Sequence, residues 1–274
     1  MGYHAIGIGD DDLSLGKEFL IELSKTSNVP FLSSNLIDQG SGKASFQRYL
    51  LKEVNGLKIG IFSLLSPETF IGATDPRKKG LIFQDPIETA KEIVNELGPK
   101  TDLLVLLSHL SYPRDVELVQ RISEIHIIAG SHSGINLANA PVFKNTIILQ
   151  NASKGMYSAK LDLTFVNSKA SFYNIATKRS LQTNLGKIKN QLDSVVNAPE
   201  AEKVQWRRAQ ESTEQALQQL EGKNYFTHTV SPLNESIKDH PDIKKMIDDY
   251  KSKFPEKSEP PIHDSRETYR PKPH

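Results

Sequence analysis

Residues 101–134 read TDLLVLLSHLSYPRDVELVQRISEIHIIAGSHSG. Leu103–Leu107 is a continuous apolar run that ends in Ser108-His109, and the run from Ile125 ends in Gly130-Ser131-His132. Apolar strands without alternation are buried on both faces. Between them the spacing predicts a helix at about Arg114–Ser123, so the stretch reads strand, helix, strand. Repetition of that unit is the signature of an α/β layered fold.

The same pattern extends in both directions. Upstream, Pro86 sits at the first position of a helix behind Asp85 as cap, with Ile87, Ala90, Ile93, Val94 and Leu97 on one face. Before it, Tyr49–Val54 and Leu57–Leu64 flank Asn55-Gly56, which supplies the two positive φ angles of a tight hairpin turn. Nearer the N-terminus, Tyr3–Gly9 and Phe31–Leu36 read as strands around a helix at Leu15–Ser24. Downstream, Ile147–Gln150, Ser158–Val166 and Ala170–Ile175 read as strands, the last two joined by an Asn167-Ser168 turn.

After Lys178 the composition shifts to Gln, Glu, Lys and Ala, and strand patterns are expected to stop. Leu185, Ile188, Leu192, Val195 and Val196 fall at helical spacing; Pro199 breaks the run, and Val204, Ala209, Thr213, Ala216, Leu217 and Leu220 form a second stripe. That is a helical hairpin, followed by a helix at Asp239–Phe254 and a Pro-rich tail read as extended. The expected organisation is an α/β domain over 1–178, a helical region over 179–254 and a tail over 255–274.

Composition narrows function mostly by exclusion. A formal net charge of +1 gives no field to draw the molecule onto nucleic acid. The absence of Cys removes disulfides, thiol nucleophiles and covalent haem attachment. No apolar run approaches the ~20 residues of a membrane helix, so no membrane insertion is expected. The first residues show no basic region followed by an apolar stretch, so no export signal is expected either.

Ligands of open α/β sheets gather beyond the carboxyl ends of the strands. Three clusters fall there. Asp10-Asp11-Asp12 can bind a hard cation or cap a helix. His109 can be a metal ligand or a hydrogen-bonded rim residue. Gly130-Ser131-His132-Ser133-Gly134 reads as a plain turn or as room for a ligand, with the Ser131 and Ser133 hydroxyls as weak anion-binding candidates.

Taken in order, these segments resemble the 5′-nucleotidase branch of the calcineurin-like metallophosphoesterases. Residues 2–16, GYHAIGIGDDDLSLG, are similar to the family's strand leading into "NHEFDxG". Ser34-Asn35 is similar to its "SAN" strand and residues 54–61, VNGLKIGI, to its "VNGVKVGVIG" hairpin. Residues 107–110, LSHL, match "LSHLG", and 127–133, IIAGSHS, stand at "IIGGHTH". Residues 151–163 resemble the block that follows. The resemblance implies the C-terminal half of an αββα sandwich, N-terminally truncated, with an extracytoplasmic (periplasmic) location.

It also implies a damaged site. In the family two metals bridge a hydroxide and clamp the phosphoryl oxygens. His109 is the one ligand retained unchanged; Asp10 replaces the Asn of "NHE" and still offers oxygen. Asp11 replaces the His that assists the leaving group, so no catalytic residue is assigned. Ser131 and Ser133 replace the "GHxH" pair, with His132 between them; on a strand, one step of register turns a side chain to the opposite face, so His132 serves only where the loop bends. The candidate metal ligands are therefore Asp10, His109 and His132, for a divalent Mn, Zn, Mg or Ca. The expectation is a degenerate, non-catalytic binding or scaffold protein, with a metal-dependent phosphohydrolase acting on a small phosphoester or nucleotide as the alternative.

Two partner expectations follow. A homodimer or protein partner would cover the open face of a truncated sandwich. Residues 230–234, VSPLN, with 239–251, DHPDIKKMIDDYK, resemble a segment of bacterial proteins that join this domain to a multihaem c-type cytochrome, which makes a c-type cytochrome the second candidate.

Overall fold

In the computed structural model, residues 2–152, 155–167, 170–194 and 199–255 are described; Val195, Val196, the Ser168 of the expected turn and nearly all of the Pro-rich tail lie outside them. The chain divides into two compact units, Met1–Pro232 and Leu233–His274.

The first unit is built on a six-stranded sheet. The hairpin β4 (Tyr49–Val54) and β5 (Leu57–Leu65) turns at Asn55 and Gly56, with φ of 51° and 81°. Next come β7 (Leu103–His109), β8 (Ile127–Gly130), β9 (Val142–Phe143) and β10 (Thr146–Gln150), in the spatial order β4-β5-β7-β8-β10-β9. The four central strands run parallel, and each edge strand is antiparallel to its neighbour. Two helices make the crossovers, α2 (Pro86–Leu97) and α3 (Tyr112–Arg121). The Asp85 carboxylate accepts from the Ile87 and Glu88 amides at 2.9 Å, the cap expected of that residue.

The continuous apolar strands divide their residues by parity. Phe62, Leu64, Leu104, Leu106, Ile128 and Ile148 pack under α2 and α3 with Ile93, Leu97 and Leu118. Leu57, Ile59, Leu103, Val105, Ile127 and Ile147 face the other way, into a cluster centred on Phe172 and Phe226. Each such side chain contributes about 1.5–3 kcal/mol by leaving water.

That second cluster belongs to a three-stranded sheet of β11 (Tyr157–Thr164), β12 (Phe172–Asn174) and β13 (Asn224–Pro232). The order is β11-β13-β12, with β13 antiparallel to β11 and parallel to β12. Between β12 and β13 the chain forms the helical hairpin α4 (Ile175–Ser194) and α5 (Glu200–Gln218), and α4 lies against β12 and β13. Helices, sheet, sheet, helices is the layering expected of the C-terminal half of an αββα sandwich, with the helical hairpin, expected to follow the sandwich, forming its outer layer.

One expectation is corrected here. Strands do not stop at Lys178: the strand Asn224–Pro232 alternates buried and half-buried side chains over its first four residues and places Phe226 at 0% exposure in the core, so the helical hairpin is an excursion within the sandwich. β11 and β12, consecutive in sequence, are separated in the sheet by β13.

The N-terminal strands are shorter than their apolar patterns. β1 (Ile6–Gly7) pairs with β2 (Phe31–Leu32) across α1 (Lys17–Thr26). The ladder breaks at the buried Asn35, whose side-chain amide donates to the Leu65 and Gln84 carbonyls and accepts from the Leu65 amide. Beyond it, β3 (Leu36–Asp38) pairs with β6 (Leu81–Phe83). The described part of the second unit carries α6 (Pro241–Lys253), with Met246, Ile247 and Tyr250 exposed. Among the described residues no helix is long and apolar enough to cross a membrane.

Candidate metal centre

Three strand exits meet at one end of the six-stranded sheet. β7 delivers Ser108 and His109, β8 delivers Ser131 to Ser133, and β1 leads through Gly9 into Asp10, Asp11 and Asp12. Asp10, His109 and His132 offer ligating atoms that all lie within 4.8 Å of one another, the one such group among the described residues. Residues 99 positions apart in sequence thus meet: His109 Nε2 is 2.8 Å from Asp10 Oδ1.

The hydrogen bonds fix the His109 ring. Nδ1 is 2.8 Å from the Ser131 hydroxyl. The Asp10 carboxylate only accepts, so Nε2 carries a proton, while the Ser131 hydroxyl beside Nδ1 donates to the Ser108 carbonyl at 2.9 Å. Burial pushes the His109 pKa below its ordinary value, opposed by the Asp10 carboxylate. The Ser108 carbonyl accepts from the Ser131 amide at 2.9 Å, which holds the end of β8 against β7.

His132 reaches the site because the strand has ended. Its φ is +71°, and its ring centroid lies 5.1 Å from that of His109. The loop bends as the His132 reading requires. Ser133 turns elsewhere: its hydroxyl accepts from the Tyr112 amide at 2.6 Å, at the start of α3. Both candidate anion-binding hydroxyls are therefore engaged within the protein.

Arg77 joins the site without any motif in the sequence to mark it. It stands in the short 3-10 turn Pro76–Lys78, and its Nη1 donates to Asp10 Oδ2 at 3.1 Å and to Asp11 Oδ1 at 2.8 Å. Asp75 receives Nε and Nη2, and the guanidinium holds its carboxyl well below the usual carboxylate range. The Phe70 ring lies 5.1 Å from the guanidinium carbon. Asp12 closes the β1 exit by accepting from the Gly9 amide at 2.8 Å.

Asp115 lies behind the site. It is fully buried, accepts from the Ser108 hydroxyl, and leaves Oδ2 without a hydrogen-bond partner among the described residues. Burial pushes its pKa up to about 7. A Cβ at Gly130 would come within 2.6 Å of that oxygen, so glycine is what lets β8 pass over the carboxyl. In sequence, Asp115 reads only as an acidic residue in the first turn of a helix.

The donors suit one cation. Three protein ligands with the remaining positions left to solvent or ligand is an ordinary arrangement for a single divalent ion. Two cations sharing a bridge need more donors than these residues gather. Beside the triad a cleft of about 270 Å³ is lined by Ile6, Gly7, Ser63, Leu107, His109 and Ser131. It opens over the carboxyl ends of the central strands.

No family model matches the chain. Over 208 residues it is 28% identical to the 5′-nucleotidase of Vibrio cholerae, covering 64% of this chain and 38% of that one. Over 187 residues it is 31% identical to YunD of Bacillus subtilis, named an uncharacterized metallophosphoesterase, covering 63% of this chain and 38% of YunD. The chain is related to the 5′-nucleotidase branch of the metallophosphoesterases. Among solved structures, a 5′-nucleotidase precursor from Thermus thermophilus superposes with a TM-score of 0.53 at 26% identity, covering 62% of this chain and 37% of the precursor. The chain spans under two fifths of each of these metallophosphoesterases.

Proposed function

We propose that these 274 residues form a metallophosphoesterase-like binding domain that takes one divalent cation at Asp10, His109 and His132 and does not hydrolyse phosphomonoesters. The observation that carries this reading is the pairing of Asp11 with Arg77. At the position where the family resemblance places a histidine to assist the leaving group stands a carboxylate that accepts from Arg77, in place of an imidazole that could pass a proton to the leaving oxygen. Three donors also fall short of the two-cation clamp by which such enzymes stabilise attacking and leaving oxygens together. What remains is a single-cation site beside a cleft large enough for a small ligand.

The competing reading is a metal-dependent phosphohydrolase working with this reduced triad, favoured by the relatives named 5′-nucleotidase. A manganese-supplemented assay on a chromogenic phosphomonoester and on a nucleoside monophosphate separates the two. The binding reading expects no release of phosphate above that of His109→Ala. Metal-dependent turnover that His109→Ala abolishes would establish the hydrolase instead. From the relationship to 5′-nucleotidases we also infer an extracytoplasmic location, which fractionation of the native host would test; recovery in the cytoplasm alone overturns it.

A further inference from the structure

A single guanidinium nitrogen occupies the space between two carboxylates at the mouth of the site. Arg77 Nη1 lies 3.1 Å from Asp10 Oδ2 and 2.8 Å from Asp11 Oδ1. That is the place a bound cation would take between those oxygens. The other two nitrogens are fastened to Asp75, whose side chain is 6% exposed. Asp75 is fixed in turn by the Ile71 and Arg77 amides, each 3.0 Å away. With Phe70 over the guanidinium face, the group is held by hydrogen bonds at its edges and by a ring above. An exposed lysine would retreat from an incoming ion easily; this fork is tied to a buried carboxylate that would be left unpaired by its departure.

The geometry points to Arg77 as a built-in cation that competes with divalent metal for Asp10 and Asp11, so that it sets the affinity and selectivity of the site. The inference rests on the single-cation reading above. With Nη1 in place, Asp10 has both oxygens engaged, one by His109 and one by Arg77. A divalent ion entering the triad meets a carboxylate that already carries a fixed positive charge on one of its two oxygens. Removing the guanidinium frees that oxygen and removes the repulsion. Deleting a residue beside a metal site usually weakens binding; here the sign is reversed.

The test is calorimetric titration of Mn²⁺ into the full chain and its variants, each checked for native circular dichroism. Arg77→Gln is expected to bind Mn²⁺ at least about tenfold more tightly than the unsubstituted chain, and Arg77→Lys, which keeps the charge but loses the fork that ties it to Asp75, to fall between the two. The gain is expected to vanish when His109→Ala is added. Because Arg77→Gln leaves Asp75 buried and unpaired, Asp75→Asn/Arg77→Gln is prepared alongside, so that no buried charge is orphaned. A folded variant of either kind with unchanged or weaker affinity overturns the inference, as does a gain that survives His109→Ala.

A measurement on the unsubstituted chain gives a third arm. The ¹⁵N resonance of the Arg77 side chain is expected to shift as Zn²⁺ saturates the triad, and an unchanged resonance at saturation overturns the competition. None of these arms reads phosphoester turnover. Hydrolysis by the unsubstituted chain would overturn the binding-domain reading while leaving the affinity comparison intact.

Discussion

His132 and His109 face one another with ring centroids 5.1 Å apart and planes inclined at 54°. They leave neighbouring parallel strands, but only His109 does so in register. His132 joins it through a left-handed backbone, at φ +71°, one residue beyond the serine that bonds the His109 ring.

That conformation separates ligation from folding. Histidine in the left-handed region costs about 1–2 kcal/mol, a penalty glycine does not carry. His132→Gly is expected to melt within about 1 kcal/mol of the original stability while losing at least about tenfold in Mn²⁺ affinity. Differential scanning calorimetry and titration calorimetry on the same sample read both quantities, and undiminished affinity would remove His132 from the ligand set.

Asp115 gives the fold a pH dependence of defined sign. Its carboxyl titrates near 7 when folded and near 3.9 when unfolded. Between those values the folded chain keeps a proton that the unfolded chain releases, so this group's contribution falls as pH rises from about 4 to 7, by up to roughly 4 kcal/mol. Asp115→Asn is expected to flatten that slope. Urea midpoints at pH 5 and pH 8 check it, and equal losses in both proteins would rule out Asp115 as the source.

Gly130 is the backbone side of the same packing. An added methyl meets Asp115 Oδ2 at 2.6 Å and the Leu149 carbonyl oxygen at 3.4 Å. Gly130→Ala is expected to destabilise by about 2–4 kcal/mol, with part of the loss recovered in Gly130→Ala/Asp115→Ala. Additive losses in a double-mutant cycle would show that the two positions do not touch.

Phe226 ties the second sheet to the first. Phe226→Ala is expected to cost about 3–5 kcal/mol, as for any fully buried aromatic. A chain ended at residue 178, which deletes β13, is expected to lose cooperative unfolding altogether. A sharp thermal transition from that shortened chain would contradict the placement of β13 between β11 and β12.

The elements that can be read from sequence are those whose signals are local. Asn55-Gly56 determines its own turn, Asp85-Pro86 its own helix start, and the apolar run Leu103–Leu107 its own burial. β13 escapes such a reading because it follows a long polar hairpin and its alternation is interrupted by His228 and Thr229. Its strand character comes from pairing with β11, more than 60 residues earlier. The site divides in the same way. Asp10 and His109 stand in recognisable motifs, whereas Arg77 acquires its role from a loop that brings it across 67 positions to Asp10. Nothing in Asp75-Pro76-Arg77 alone distinguishes it from an ordinary capped turn.

The interleaved order β11-β13-β12 has a consequence for how the molecule comes into being. Neither earlier strand has its partner until the polypeptide has travelled out along α4, back along α5 and returned through Asn224. During synthesis, the inner face of the six-stranded layer therefore waits, incompletely covered, for a segment that emerges from the ribosome more than 70 residues after the layer itself is complete at Gln150. Closure of so long a loop is slow. During that interval the apolar side chains around Leu103 and Ile127 lack the Phe226 that covers them in the finished fold, and surface of that kind is what aggregates or engages a chaperone.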